Sequence, residues 1–80
     1  MEHFFTFPNT SAVISAEQAL ESSGISVKVR PVPNAIRAGC GLLLCIADDK
    51  ASEARNILQQ NKIELQAVYQ LIDGVYIQIP

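Results

Sequence analysis

The chain has a single histidine, His3, among its 80 residues, and only two cysteines, Cys40 and Cys45. One histidine at the start of the chain leaves no visible Ser-His-Asp set for acyl transfer. Two thiols and one imidazole do not make a closed ligand set for a metal within one chain. Neither a P-loop nor a dinucleotide fingerprint is present, so no phosphate cradle is legible. Basic residues are few: six Lys and Arg against eight Asp and Glu give a net charge of -2. They are scattered and form no stripe, which argues against a nucleic-acid partner. No apolar stretch approaches the ~18 residues of a membrane span. Met1-Glu2-His3 runs straight into Phe4-Phe5-Thr6-Phe7, without the charged and apolar regions of a signal peptide. The expectation is a soluble, cytoplasmic protein without membrane, nucleic-acid or cofactor partners. In that compartment thiols rest in the reduced form. Both cysteines therefore need a reason other than a structural disulfide.

Hydrophobic residues make up 49% of the chain, as in a globular domain rather than a disordered one. The length implies one domain over residues 1–80. A chain this short buries only about 60–65% of its unfolded surface, so its stability should be modest. Oligomerisation is a common supplement.

The residue pattern divides into seven elements. His3 to Phe7 is short and aromatic-rich, and Pro8 ends it as a strand. Asn9-Thr10-Ser11 supplies N-cap side chains. Val13, Ala16 and Ala19 or Leu20 then share one face of a helix from Thr10 to Ser23, closed by Gly24. Ile25 to Val32 alternates as a half-buried strand, and Pro31 and Pro33 place it at a sheet edge. Asn34 to Gly41 reads as a loop. Leu42 to Ala47 is almost continuously apolar, as a doubly covered central strand would be. Asp48-Asp49 is expected to cap a second helix, whose buried face is Ala51, Ala54, Ile57 and Leu58; Asn61 can close it in the left-handed conformation. Glu64 to Leu71 alternates, with Leu65, Ala67, Tyr69 and Leu71 expected inward and Val68 outward. Asp73-Gly74 signals a hairpin into a last strand, Val75 to Ile79. A three-residue loop, Ile72 to Gly74, would pair Leu71 with Val75 and Tyr69 with Ile77. It is preferred because it keeps those inward residues on one apolar face.

The order β-α-β-β-α-β plus one strand predicts an α+β, ferredoxin-like βαββαβ sandwich with a C-terminal extra strand. Two helices would lie on one face of an antiparallel sheet. Right-handed crossovers put the first and third strands in the centre, with the fifth beyond the fourth. The other face would be open, with Phe4 and Val68 on it, and so suggests a homodimer.

Cys40 is the one strong candidate for chemistry. Gly39 and Gly41 on either side leave the thiol sterically open and let backbone amides approach an anion. Arg37, three residues earlier, would favour the thiolate, which is the nucleophilic form. Arg30 also flanks the loop. Against this, a free cysteine is more often a small buried hydrophobe, and composition alone favours packing. Cys45, inside Leu42-Leu43-Leu44-Cys45-Ile46, reads as core. Five residues of extended chain would hold the two Cα atoms roughly 16 Å apart, beyond disulfide reach.

The arrangement as a whole resembles the small selenium/sulfur (Se/S) carrier protein-like domains of bacteria. The matching pieces are Phe5-Thr6-Phe7 before Asn9-Thr10, then Ala16-Glu17 and Gly24-Ile25. They continue with Pro31-Val32-Pro33, Cys40-Gly41 and its strand, and Ile57-Leu58 with Asn61 and Ile63. The resemblance covers about residues 3–71, leaving 72–80 as an extension. It implies that Cys40 carries sulfur or selenium as a persulfide or selenosulfide; from the residues themselves, Gly39 and Gly41 would leave access to that thiol and Arg37 would stabilise negative charge. Its partners would be donor and acceptor proteins, and its role that of a carrier rather than an enzyme. The carriers of thiolation pathways open a helix with Cys-Pro-x-Pro; Pro31 and Pro33 here precede Cys40, and that motif is absent. Two other readings stand beside the carrier. One is a non-catalytic, dimeric ligand-binding or interaction module with a structural Cys40. The other is metal or cluster binding by paired Cys40 residues across a dimer.

Overall fold

A computed structural model describes residues 1–36 and 39–80. The elements are β1 (Glu2–Thr6), α1 (Thr10–Ser22), β2 (Lys28–Pro31), β3 (Leu42–Ala47), a 3-10 turn (Asp48–Lys50), α2 (Ala51–Gln60), β4 (Ala67–Ile72) and β5 (Val75–Ile79). The five strands form one antiparallel sheet in the order β2-β3-β1-β4-β5. This is the expected α+β plan: two helices on a sheet whose order is compatible with a ferredoxin-like fold carrying an extra strand.

The helices form where the sequence places apolar residues on one side. Val13, Ala16 and Leu20 of α1 and Ala51, Ala54 and Leu58 of α2 are buried against Phe5, Leu44, Ile46 and Val68 of the sheet, with Phe7 just beyond β1. Asn9 caps α1, its side-chain oxygen accepting from the Ala12 N–H at 2.9 Å. Gly24 ends that helix in the left-handed region at φ 84°.

A second, smaller core lies on the opposite face of the sheet. The chain after β2 turns back, with the Ile36 N–H donating to the Pro33 carbonyl at 3.0 Å. Ile36 thereby packs on Leu43 and Cys45, with Phe4, Val32, Tyr69 and Tyr76 around them. Phe4 and Tyr76 meet edge to face, their ring centroids 5.5 Å apart. The face expected to be open is thus partly covered by the chain's own loop.

Four expectations are corrected. The facing of β4 is inverted: Val68 is buried among the helix-side residues, whereas Tyr69 joins the second core. Val68 therefore does not lie on the open face. The hairpin takes the two-residue loop, with Ile72 opposite Val75, Leu71 opposite Tyr76 and Tyr69 opposite Gln78. Asp73 and Gly74 both have positive φ, 50° and 76°, the signature of a turn whose twist matches that of the flanking strands. This register keeps Val68/Ile79 and Ile72/Val75 on the helix side. Finally, Asp48 and Asp49 make no side-chain cap on α2. Asp48 instead pairs with His3, Nδ1 to Oδ1 2.6 Å. Asn61 stays at negative φ and donates its side-chain N–H to the Ile57 carbonyl, and Lys62 takes the left-handed position at φ 56°.

Candidate functional site

Cys40 sits just before β3, in the stretch that brings the chain back from the second core into the sheet. Gly39 and Gly41 place it in different ways. Gly39 lies hard against the chain entering α1: a Cβ there would stand 2.2 Å from the Pro8 carbonyl oxygen. Only glycine permits that approach. Its N–H also donates to Oε1 of Gln66, at 3.3 Å, and the Gln66 N–H in turn donates to the Thr6 carbonyl at 2.8 Å. Gly41 has space around it but a φ of 74°, a conformation that side-chain-bearing residues rarely adopt. Its carbonyl accepts from the Val32 N–H at 2.9 Å, closing the loop at the end of β2.

Between these two glycines the Cys40 side chain is partly exposed and packs against the helix-side core. Its thiol donates to the Leu42 carbonyl at 3.0 Å, and the Leu42 N–H donates to Sγ at 3.5 Å. The sulfur is thus held by a local backbone donor and acceptor in a residue that is partly exposed as a whole. Those hydrogen bonds are weak ones, because sulfur is a poor donor and acceptor.

Cys45 is a different kind of thiol. It is 2% exposed and belongs to the core on the other side of the sheet. Burial pushes its pKa up, and the nearby Glu2 carboxylate adds to this; Arg30 and Lys28 oppose it more weakly. Cys40 packs into one core and Cys45 into the other, so the sheet stands between the two side chains.

Of the other expected site residues, Gly39 and Gly41 bracket the thiol as anticipated. Arg37 lies outside the described residues. Arg30 is on the face of Leu43 and Cys45, because it pairs with Leu43 in the ladder. It borders a groove of about 400 Å³ with Glu2, Phe4, Pro31, Pro33, Leu43, Leu71 and Tyr76. That groove is across the sheet from the core that Cys40 touches. Gln66 is the participant that sequence reasoning missed, since nothing in an alternating strand pattern marks a glutamine that reaches back to a glycine N–H. Among the described residues, no cluster of three His, Cys, Asp or Glu side chains is placed to hold a metal ion. No helix is long and apolar enough to cross a membrane, again among the described residues.

Comparison with known proteins supplies context for this loop. Over 75 residues the chain is 28% identical to the uncharacterized protein YtiA of Escherichia coli (strain K12), a match spanning 94% of this chain and 85% of that one. No solved structure matches it. The family described as "Putative Se/S carrier protein-like" matches residues 2–70, which takes in β1 through most of β4 together with the Cys40 loop. The chain belongs to that Se/S carrier protein-like family.

Proposed function

We propose that this protein carries sulfur or selenium on Cys40 and passes it between a donor and an acceptor protein. The observation that carries the reading is the contrast between the two thiols. Cys40 is partly exposed between Gly39, pressed against Pro8, and Gly41, at positive φ, whereas Cys45 is sealed at 2% exposure. Membership of the Se/S carrier-like family points the same way.

The step is a sulfane-sulfur exchange and needs no added oxidant. The Cys40 thiolate attacks the terminal sulfur of a persulfide on the donor. The Cys40 S–S bond forms, the donor's S–S bond breaks, and the donor cysteine leaves as its thiolate. Selenium would move by the same displacement from a donor carrying a terminal selenium atom. In the acceptor step the terminal atom is attacked and Cys40 departs as the thiolate. The Leu42 N–H, 3.5 Å from Sγ, is a donor for that negative charge at both stages. Gly41 adds no side chain that would cover the attacking face. In this role the protein is a carrier, not an enzyme. The test is to incubate it with a cysteine desulfurase and cysteine and read intact mass. Wild type should gain one sulfur and Cys40→Ser none.

One observation favours a rival reading, a non-catalytic interaction module with a structural Cys40. The Cys40 side chain does pack on the helix-side core, and its S–H is engaged by the Leu42 carbonyl. In that case Cys40 would resist iodoacetamide in the folded protein and react only on unfolding.

A further inference from the structure

We propose that β5 is the pairing edge of a homodimer, in which two copies join antiparallel into one ten-stranded sheet. The two edges of the sheet are built differently. At one end, β2 is four residues long, includes Pro31 and projects Lys28 and Arg30. Short length, proline and charge are the devices that keep an edge from pairing with another chain. At the other end, β5 reads Val75-Tyr76-Ile77-Gln78-Ile79, with no charge and no proline inside it. It leaves a row of backbone donors and acceptors without those safeguards.

The side chains add to this. Val75, Ile77 and Ile79 lie on the helix side, since they pair with Ile72, Gln70 and Val68. The two helices do not reach all of them. Arg55 of α2 donates to the Pro80 carbonyl at 2.9 Å, so α2 covers the C-terminal end of β5, and Ile79 packs on the core there. Ile72, Val75 and Ile77 are left 45%, 56% and 45% exposed. An apolar stripe therefore runs beside an open edge.

The register follows from the hairpin. A two-residue loop is closed by hydrogen bonds between its flanking residues, here Ile72 and Val75. Alternation then aims the N–H and C=O of Val75, Ile77 and Ile79 at β4. Those of Tyr76 and Gln78 point to the free edge. A two-fold axis at Ile77 pairs Tyr76 with Gln78 of the partner subunit, and Gln78 with Tyr76 of the partner subunit. This uses the four outward groups of each strand in four hydrogen bonds. Ile77 faces Ile77 of the partner subunit as a non-hydrogen-bonded pair, and Val75 faces Ile79 of the partner subunit. No like charges meet within the paired strands. The exposed Val75 of each copy comes beside the end of the strand that the other copy's α2 covers. A second copy fits this edge because its own strand has the same uncharged, alternating pattern read in reverse.

Sedimentation velocity over a concentration series tests the pairing. Wild type should sediment as a dimer at high micromolar concentration, and Ile77→Lys as a monomer with unchanged circular dichroism. A second variant reports on register. In a Cys40→Ser, Cys45→Ala background, Ile77→Cys should form a disulfide-linked dimer on mild oxidation, because a non-hydrogen-bonded pair holds its Cα atoms about 4.5 Å apart. Val29→Cys, on the opposite edge, should stay unlinked. A wild type that remains monomeric at that concentration overturns the proposal, as does equal cross-linking of the two cysteine variants. None of these results depends on whether Cys40 carries sulfur.

Discussion

The Cys40 thiol lies 3.0 Å from the carbonyl oxygen of Leu42, two residues further along the chain. That contact suits the neutral S–H, which donates to the oxygen, and not the thiolate, which would be repelled by it. The Leu42 N–H, 3.5 Å from the same sulfur, has the opposite preference. A nucleophilic role for Cys40 would require a small rotation of its side chain, away from the carbonyl and toward the amide or water. The two thiols should separate in native alkylation. Iodoacetamide should modify Cys40 in the folded protein at a rate at least tenfold above that of Cys45, which should label only after denaturation. Comparable rates for both would contradict the difference in burial.

The glycines around Cys40 should fail for different reasons. Gly39→Ala drives a methyl group into the Pro8 backbone. The loop must shift, at a cost of about 1–3 kcal/mol by the usual scale of overpacking. Gly41→Ala meets open space but a φ of 74° and should cost about 1–2 kcal/mol. Urea unfolding midpoints measure both losses. Gly39→Ala should also lower sulfur loading of Cys40, because it detaches the loop from the start of α1. Unchanged stability in Gly39→Ala would show that this close approach does not hold the loop.

The raised pKa of Cys45 has a consequence above neutral pH. The unfolded thiol ionises near pH 8.5, as free cysteine does, while the folded one keeps its proton to higher pH. In that window the folded state binds more protons, so stability is full below about pH 8.5 and falls as pH rises through the folded value. Unfolding free energy measured from pH 7 to 10 should decline in wild type and decline less in Cys45→Val. The same slope in both proteins would assign the alkaline loss to other groups.

The hairpin register can be read from one side chain. With Asp73 at φ 50°, Asp73→Val forces a β-branched residue into the left-handed region and should cost about 1–2 kcal/mol. Asp73→Asn should stay within about 0.5 kcal/mol. Thermal melts decide the matter. In a three-residue loop with a left-handed residue only at Gly74, Asp73→Val would be close to neutral.

Much of this architecture is legible in the residues themselves. Leu42–Ala47 is a strand with the expected ends, Gly24 closes α1, and the five strands take the expected order. The facing of β4 is not legible in the same way, and the hairpin register depends on it. Leu65, Ala67, Tyr69 and Leu71 make the more apolar row of that segment, so periodicity turns them inward. Tyr69 faces the other way because a second core waits there, built by Ile36 from a loop whose path no local pattern reveals. With apolar cover on both faces, alternation loses its power to tell them apart. The His3–Asp48 pair escaped for a simpler reason: its partners are 45 residues apart, and an aspartate before a helix reads locally as a cap. At the site, the Cys40-Gly41 pair was readable, but the contact between Gly39 and Pro8 needed the fold.

Cys40, and not Cys45, is the proposed acceptor of the chalcogen atom. The most direct measurement follows transfer from a cysteine desulfurase supplied with sulfur-labelled cysteine, with peptide mass mapping to locate the label. Wild type and Cys45→Ser should both gain one labelled sulfur on the peptide containing Cys40, and Cys40→Ser should gain none. Loading of Cys40→Ser to the wild-type level, or label found on Cys45, would contradict the account.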